Sequence, residues 1–275
     1  MILTRRKFFR YLMGAGVVSA AAGYPVFIER QIILETHYRI HIPNLPRIFQ
    51  GFRIVHLTDL HHGFLVPLSV IEGVVRRVNR IPRDVVVCTG DYVHEKNGTA
   101  EIDRVWPVLS KLSAPEGVFS VLGNHDHWAD TGRSLYWLDR SGQDLRGKAK
   151  AIERDGRQLW FAGGGDLWED PIGVDRVLGQ IPEEACRIML VHNPDSADSH
   201  FVGHIDLILA GHTHGGQVRI PFWGAPVLPV RNKTYSSGII RSSKGHAMFI
   251  SRGIGWAIYP VRFNCFPEIA VVTLI

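Results

Sequence analysis

At 275 residues the chain is long enough for one large domain or two small ones with a substantial buried core. Hydrophobic residues at 45% and charged residues at 21% exclude a disordered or low-complexity chain. Of the net charge of +5, Arg5, Arg6, Lys7 and Arg10 supply +4 before residue 28, so the remainder is near +1 and offers no basic stripe for a nucleic acid.

Residues 1–28 read as a leader. A basic start is followed by an apolar, Gly- and Ala-rich run over residues 11–23 with small residues at Ala20 and Ala22, the pattern of an export signal. The paired Arg5 and Arg6 ahead of Phe8 and Phe9 resemble the twin-arginine signal. Apolar character continues through Ile28, so an uncleaved membrane anchor is the alternative, and cleavage after Ala22 stays open. Export places the protein in the periplasm or cell envelope, whereas an anchor also permits the cytoplasmic face of the inner membrane. Three cysteines, Cys88, Cys186 and Cys265, have no metal-like spacing, and the first two lie in apolar runs expected to be buried.

Residues 32–42 read as an edge strand that Pro43 and Pro46 close. Five apolar runs follow, each ending in residue types that ligate metals. Residues 52–58 stop at Asp59, 84–89 at Gly90 and Asp91, and 118–122 at Gly123, Asn124, His125 and Asp126. Residues 187–191 stop at His192, and 205–210 stop at Gly211, His212, Thr213 and His214. Helical periodicity at 68–80 and 102–112 lies between them. Buried strands alternating with helices predict an α/β sheet protein whose site lies beyond the carboxyl ends of the strands. In extended backbone, residues two apart point to one side, so Asp59 with His61 and His212 with His214 can each aim at one cluster. Glycines 90, 123 and 211 permit sharp turns there. Residues 163–166 lack the Lys and Ser/Thr of a phosphate-binding P-loop and read as a strand-to-turn junction. Residues 218–230 read as a loop, and its apolar stretch 221–229 is suited either to an acyl chain or bilayer or to packing over a sheet. Strands at 246–251 and 269–274 are expected to complete a second sheet. Asp195, His200 and His204 are expected to be surface or loop residues.

The five blocks in this order resemble the calcineurin-like metallophosphoesterase superfamily, over residues 36–275. Residues 215–218, 251–255 and 260–263 resemble its bacterial membrane-associated or exported branch, which includes proteins similar to UDP-2,3-diacylglucosamine hydrolases of lipid A synthesis. The resemblance implies a four-layer αββα sandwich of two mixed sheets flanked by helices. It implies hydrolysis of a phosphomonoester, phosphodiester or pyrophosphate bond by a hydroxide shared between two divalent ions. Asp59, His61 and His214 would hold one ion, Asn124, His192 and His212 the other, and Asp91 would bridge. His125 would face a small-molecule or lipid-linked phosphate substrate as the catalytic imidazole, oriented by Asp126. Imidazole with carboxylate suits manganese, iron or zinc. His94 stands where relatives carry an acid or a tyrosine, and its role is open. A fold retained without activity is the contrasting reading, but every expected ligand type is present.

Overall fold

The computed structural model describes residues 5–6, 9–13 and 23–275 apart from 95, 171 and 202. Most of the leader's apolar run, with Ala20 and the candidate cleavage residue Ala22, lies outside the described residues. No helix among the described residues is long and apolar enough to cross a membrane.

Eleven strands are described: β1 (Leu34–Ile40), β2 (Arg53–Leu57), β3 (Val85–Cys88), β4 (Val118–Ser120), β5 (Ala149–Arg154), β6 (Arg157–Gly163), β7 (Cys186–Leu190), β8 (Leu207–Ala210), β9 (Gly238–Arg241), β10 (Ala247–Ile250) and β11 (Glu268–Leu274). They form two mixed sheets, in the orders β1-β11-β2-β3-β4 and β5-β6-β7-β8-β10-β9. Strands β2, β3 and β4 run parallel in the first sheet, as do β6, β7, β8 and β10 in the second. Their carboxyl ends therefore share one edge of each sheet.

The strand sequences explain this stacking. Along β3, Val85 and Val87 face the second sheet, while Val86 and Cys88 face the helices, and all four are buried. Both faces of the strand are covered, so it reads as a continuous apolar run rather than an alternation. Between the sheets, Ile54, Val85, Val87 and Phe119 meet Phe161, Ile188, Leu190, Leu209 and Phe249.

The outer face of the first sheet carries α1 (Leu68–Val78), α2 (Thr99–Leu109) and α3 (Asn124–Arg140). In α1, Ile71, Val74, Val75 and Val78 form an apolar stripe at i, i+3, i+4 and i+7, and all four are buried. Each such side chain contributes about 2 kcal/mol of burial. The fourth layer is thin: the short α4 (Val174–Leu178) and the loop carrying Leu228, Val230 and Tyr235 pack on the outside of the second sheet. The result is the expected four-layer sandwich.

Two expectations need correction. The strand expected at 269–274 joins the first sheet, not the second: β11 lies between β1 and β2, parallel to one and antiparallel to the other. Asp195 is buried rather than on the surface, and its carboxylate accepts the backbone N–H groups of Arg231 and Asn232. The hairpin of β5 and β6 and the helix α3 were not anticipated. The hairpin carried a signal, because Asp155 and Gly156 both take positive φ (48° and 69°), the tight turn that an Asp-Gly pair favours.

Candidate metal centre

Strands β2, β3, β4, β7 and β8 each give way to a loop, and these five loops meet at one edge of the sandwich. Asp59 N–H bonds the Gly90 carbonyl and His61 N–H the Asp91 carbonyl, which zips the loops after β2 and β3 together. Across the sheets, His192 Nδ1 donates to the Thr89 carbonyl at 2.7 Å, and the His212 N–H donates to the Asp59 carboxylate at 3.0 Å. Five of the candidate residues, Asp59, His61, Asp91, His212 and His214, hold positive φ between 49° and 67°. Non-glycine residues seldom take this left-handed conformation, and such strain concentrates at functional sites. Glycine serves two needs here. Gly90 has φ +94°, as a sharp turn requires, whereas Gly211 is needed for space, since a Cβ there would lie 2.0 Å from Thr58 Oγ1.

The side chains converge as two triads. Asp59, His61 and His214 form one, and Asp91, His192 and His212 the other, with the ligand atoms of each within 4.8 Å of one another. Asp91 Oδ2 joins them: it lies 3.2 Å from His192 Nε2 and 3.5 Å from His61 Nε2. The imidazole nitrogens of His61 and His214 face each other at 3.0 Å, and those of His192 and His212 at 3.1 Å. Asn124 opens α3 beside them, and its buried Oδ1 finds no partner among the described residues. A buried amide oxygen left unpaired, one residue before His125, together with the converging imidazoles and carboxylates, suits a metal site.

Electrostatics agree. Burial, with the neighbouring cations, pushes the His212 pKa down to about 3, and burial holds His61 and His214 well below the usual imidazole range. These three rings are neutral, as metal ligation requires. Burial alone would raise Asp91, but the adjacent His192, through its charge and a hydrogen bond, holds it well below the carboxylate range. Burial likewise opposes a charge on His192, yet Asp91 and Asp59 outweigh it and leave that ring at about 10. The buried charges thus pair with each other.

The calcineurin-like phosphoesterase family model matches residues 52–216, which holds every one of these residues. Among curated relatives, the uncharacterized metallophosphoesterase YkuE of Bacillus subtilis is 31% identical over 99% of this chain and 98% of its own. The chain belongs to the calcineurin-like phosphoesterase family. Phosphodiesterase YaeI of Escherichia coli is 31% identical over the whole of both chains, and an uncharacterized metallophosphoesterase of Aquifex aeolicus is 29% identical over 90% of this chain and 94% of its own. This calcineurin-like phosphoesterase is a phosphoester hydrolase, and its buried donor set fits divalent metal ions.

Around the triads of this phosphoesterase the structure revises one assignment. Asp126 does not orient His125. Its Oδ2 accepts the N–H groups of Asp91 and Gly123, and its Oδ1 accepts that of Tyr92. It therefore clamps the loop after β3 onto the first turn of α3. His125 instead donates from Nδ1 to the His94 carbonyl at 2.9 Å, while its own N–H bonds Asp91 Oδ1. His94 stacks on the His125 ring, and its Nδ1 lies 3.3 Å from His61 Nδ1, which places it beside the site. Tyr92 points away from the triads, donating to the Val121 carbonyl. Trp128 packs against His125 and Trp168 against His212, so two indoles flank the centre.

Sequence reasoning missed the support beneath it. Residues 251–255 run under the Asp59 turn, where the Ile254 and Gly255 N–H groups bond the Thr58 and Asp59 carbonyls. Arg262 is fully buried and donates to the carbonyls of His214 and Gly255. Glu268 locks the same loop by accepting from Thr36, Tyr38 and Arg252. The glycine-rich block at 251–255 was visible, but nothing local ties it to residues almost 200 positions earlier.

Proposed function

We propose that the protein is a two-metal phosphodiesterase. The observation that carries this reading is Asp91 Oδ2, placed between His61 of one triad and His192 of the other. Asp59, His61 and His214 would hold one ion, and Asn124, His192 and His212 the second, with Asp91 shared. Bound there, divalent ions would activate water at neutral pH and neutralise the phosphoryl oxygens. Their chemistry, set by imidazole and carboxylate donors, favours manganese, iron or zinc.

The residues of the chain supply the rest. The His94 carbonyl fixes His125 through Nδ1–H, so that the ring in its imidazolium form carries a second proton on Nε2 to give to the departing alkoxide. The Asp91 carboxylate is steadied by the His125 N–H. Trp128 and Trp168 wall the centre from two sides. The diester class is supported by the full-length similarity to YaeI, which is named a phosphodiesterase. The twin-arginine-like leader supports an envelope location, either by export or with the leader kept as an anchor.

The test is hydrolysis by the purified full chain, with manganese, of bis-p-nitrophenyl phosphate and UDP-2,3-diacylglucosamine in parallel. Turnover of the generic diester, lost in Asp91→Asn, supports the reading. Turnover of the lipid nucleotide would place the enzyme in lipid A synthesis on the cytoplasmic face. No metal-dependent turnover of either would sink the diester assignment.

A further inference from the structure

Three segments form a common surface next to the metal centre. Residues 217–224 pair with Phe263, since Arg219 N–H bonds the Phe263 carbonyl and the Phe263 N–H the Gln217 carbonyl. The Gln217 side chain then binds the backbone of Ala257, and the Arg262 N–H bonds the Pro25 carbonyl. The surface adjoins the ligands directly, through Arg262 on the His214 carbonyl and His212 Nε2 on the Pro229 carbonyl.

Its tips are apolar and stand in solvent. Phe222 is fully exposed, Trp223 is 75% exposed and Ile258 78%, with Phe27, Val227 and Tyr259 also exposed. Single exposed apolar residues are ordinary, but a cluster on adjoining loops marks an interaction surface. The backbone is strained at both tips: Phe222 sits at φ 66° and Ile258 at φ 59°. A β-branched residue in that region is an outlier. The turn around Phe222 is nonetheless pinned by paired bonds between Ile220 and Gly224. These side chains are held outward rather than left loose.

The charge around them has one sign. Residues 217–233 and 252–265 contain no aspartate or glutamate; Arg219, Arg231 and Lys233 are present, while Arg252 is paired with the buried Glu268 and adds no net charge. Glu29, in the third segment, is buried and accepts the Cys265 N–H. The chain reaches this face directly from the leader, with its four basic side chains and apolar run. Aromatic tips in a basic, acid-free surround match the interfacial zone of an anionic membrane.

We propose that this face docks on an anionic lipid bilayer, with Phe222, Trp223 and Ile258 entering the headgroup region. The metal centre then opens onto phosphoesters carried at the bilayer surface; that consequence rests on the hydrolase reading, whereas the docking does not. The test uses the full chain with vesicles of phosphatidylcholine and phosphatidylglycerol whose acyl chains carry bromine, a contact quencher of indole fluorescence. The wild type is expected to show quenching that Trp223→Phe removes, although the leader still holds the variant to the vesicles. In Phe222→Ser with Trp223→Ser, hydrolysis of soluble diester stays unchanged and vesicle affinity falls by about tenfold per side chain. Quenching that is absent, or unaltered by Trp223→Phe, overturns the proposal. So does a vesicle-free dimer dissolved by the double variant, which would assign the face to a second copy.

Discussion

Asp91 and His125 are neighbours through one hydrogen bond, yet their replacements should fail differently. Asp91→Asn removes the shared carboxylate. Metal affinity should fall by more than the roughly 10–100-fold typical of residues outside the ligand shell, as read by metal content after dialysis. His125→Ala should keep wild-type metal content and lose roughly 10²–10⁴-fold in kcat on alkyl diesters. Its loss on p-nitrophenyl esters should be smaller, because that leaving group departs without a proton. Equal losses on both would assign His125 to binding rather than proton transfer. Asp126→Asn should act through folding: it weakens the acceptor of four buried N–H groups, so Tm should fall while the leaving-group dependence of the remaining activity stays as in the wild type.

At the scale of elements, β11 and the loop beneath the site depend on one carboxylate. Glu268 is buried at the start of β11, and although burial would raise its pKa, Arg252 and Thr36 hold it below the usual value. A depressed carboxylate stabilises the fold above the unfolded-state pKa, and that stability is lost as pH falls through the folded value. Unfolding free energy should therefore decline with acidification below about pH 4.5, and Glu268→Gln should flatten that part of the profile. The same variant leaves Arg252 unpaired and should cost about 3 kcal/mol at neutral pH. This scale also shows what the sequence could and could not reveal. Asp59, Asp91, His192 and His212 were legible because a ligand-type residue after a buried strand is a local pattern. The role of Asp126 was not, because the N–H groups it accepts belong mostly to a loop more than 30 positions away. The placement of β11 was equally hidden. Its apolar residues fit either sheet, and only the pairing of Ala270–Thr273 with Arg53–His56 decides.

Over the whole molecule, the metal centre ties the two sheets together. Asp59 and Asp91 follow strands of one sheet, and His192, His212 and His214 follow strands of the other. Ions held between them should stabilise the entire sandwich. At about 100 times the dissociation constant, ligand linkage contributes roughly 2.7 kcal/mol. For a chain of this size that is a rise of about 5–10 °C in Tm, readable by calorimetry with and without manganese and absent in Asp91→Asn. The central claim is tested most directly by titrating the metal-free chain with manganese while following hydrolysis of bis-p-nitrophenyl phosphate under tight-binding conditions. A rate that climbs until two equivalents per chain are bound and then levels off is the predicted result. Saturation at one equivalent, or hydrolysis that does not depend on metal, would contradict it.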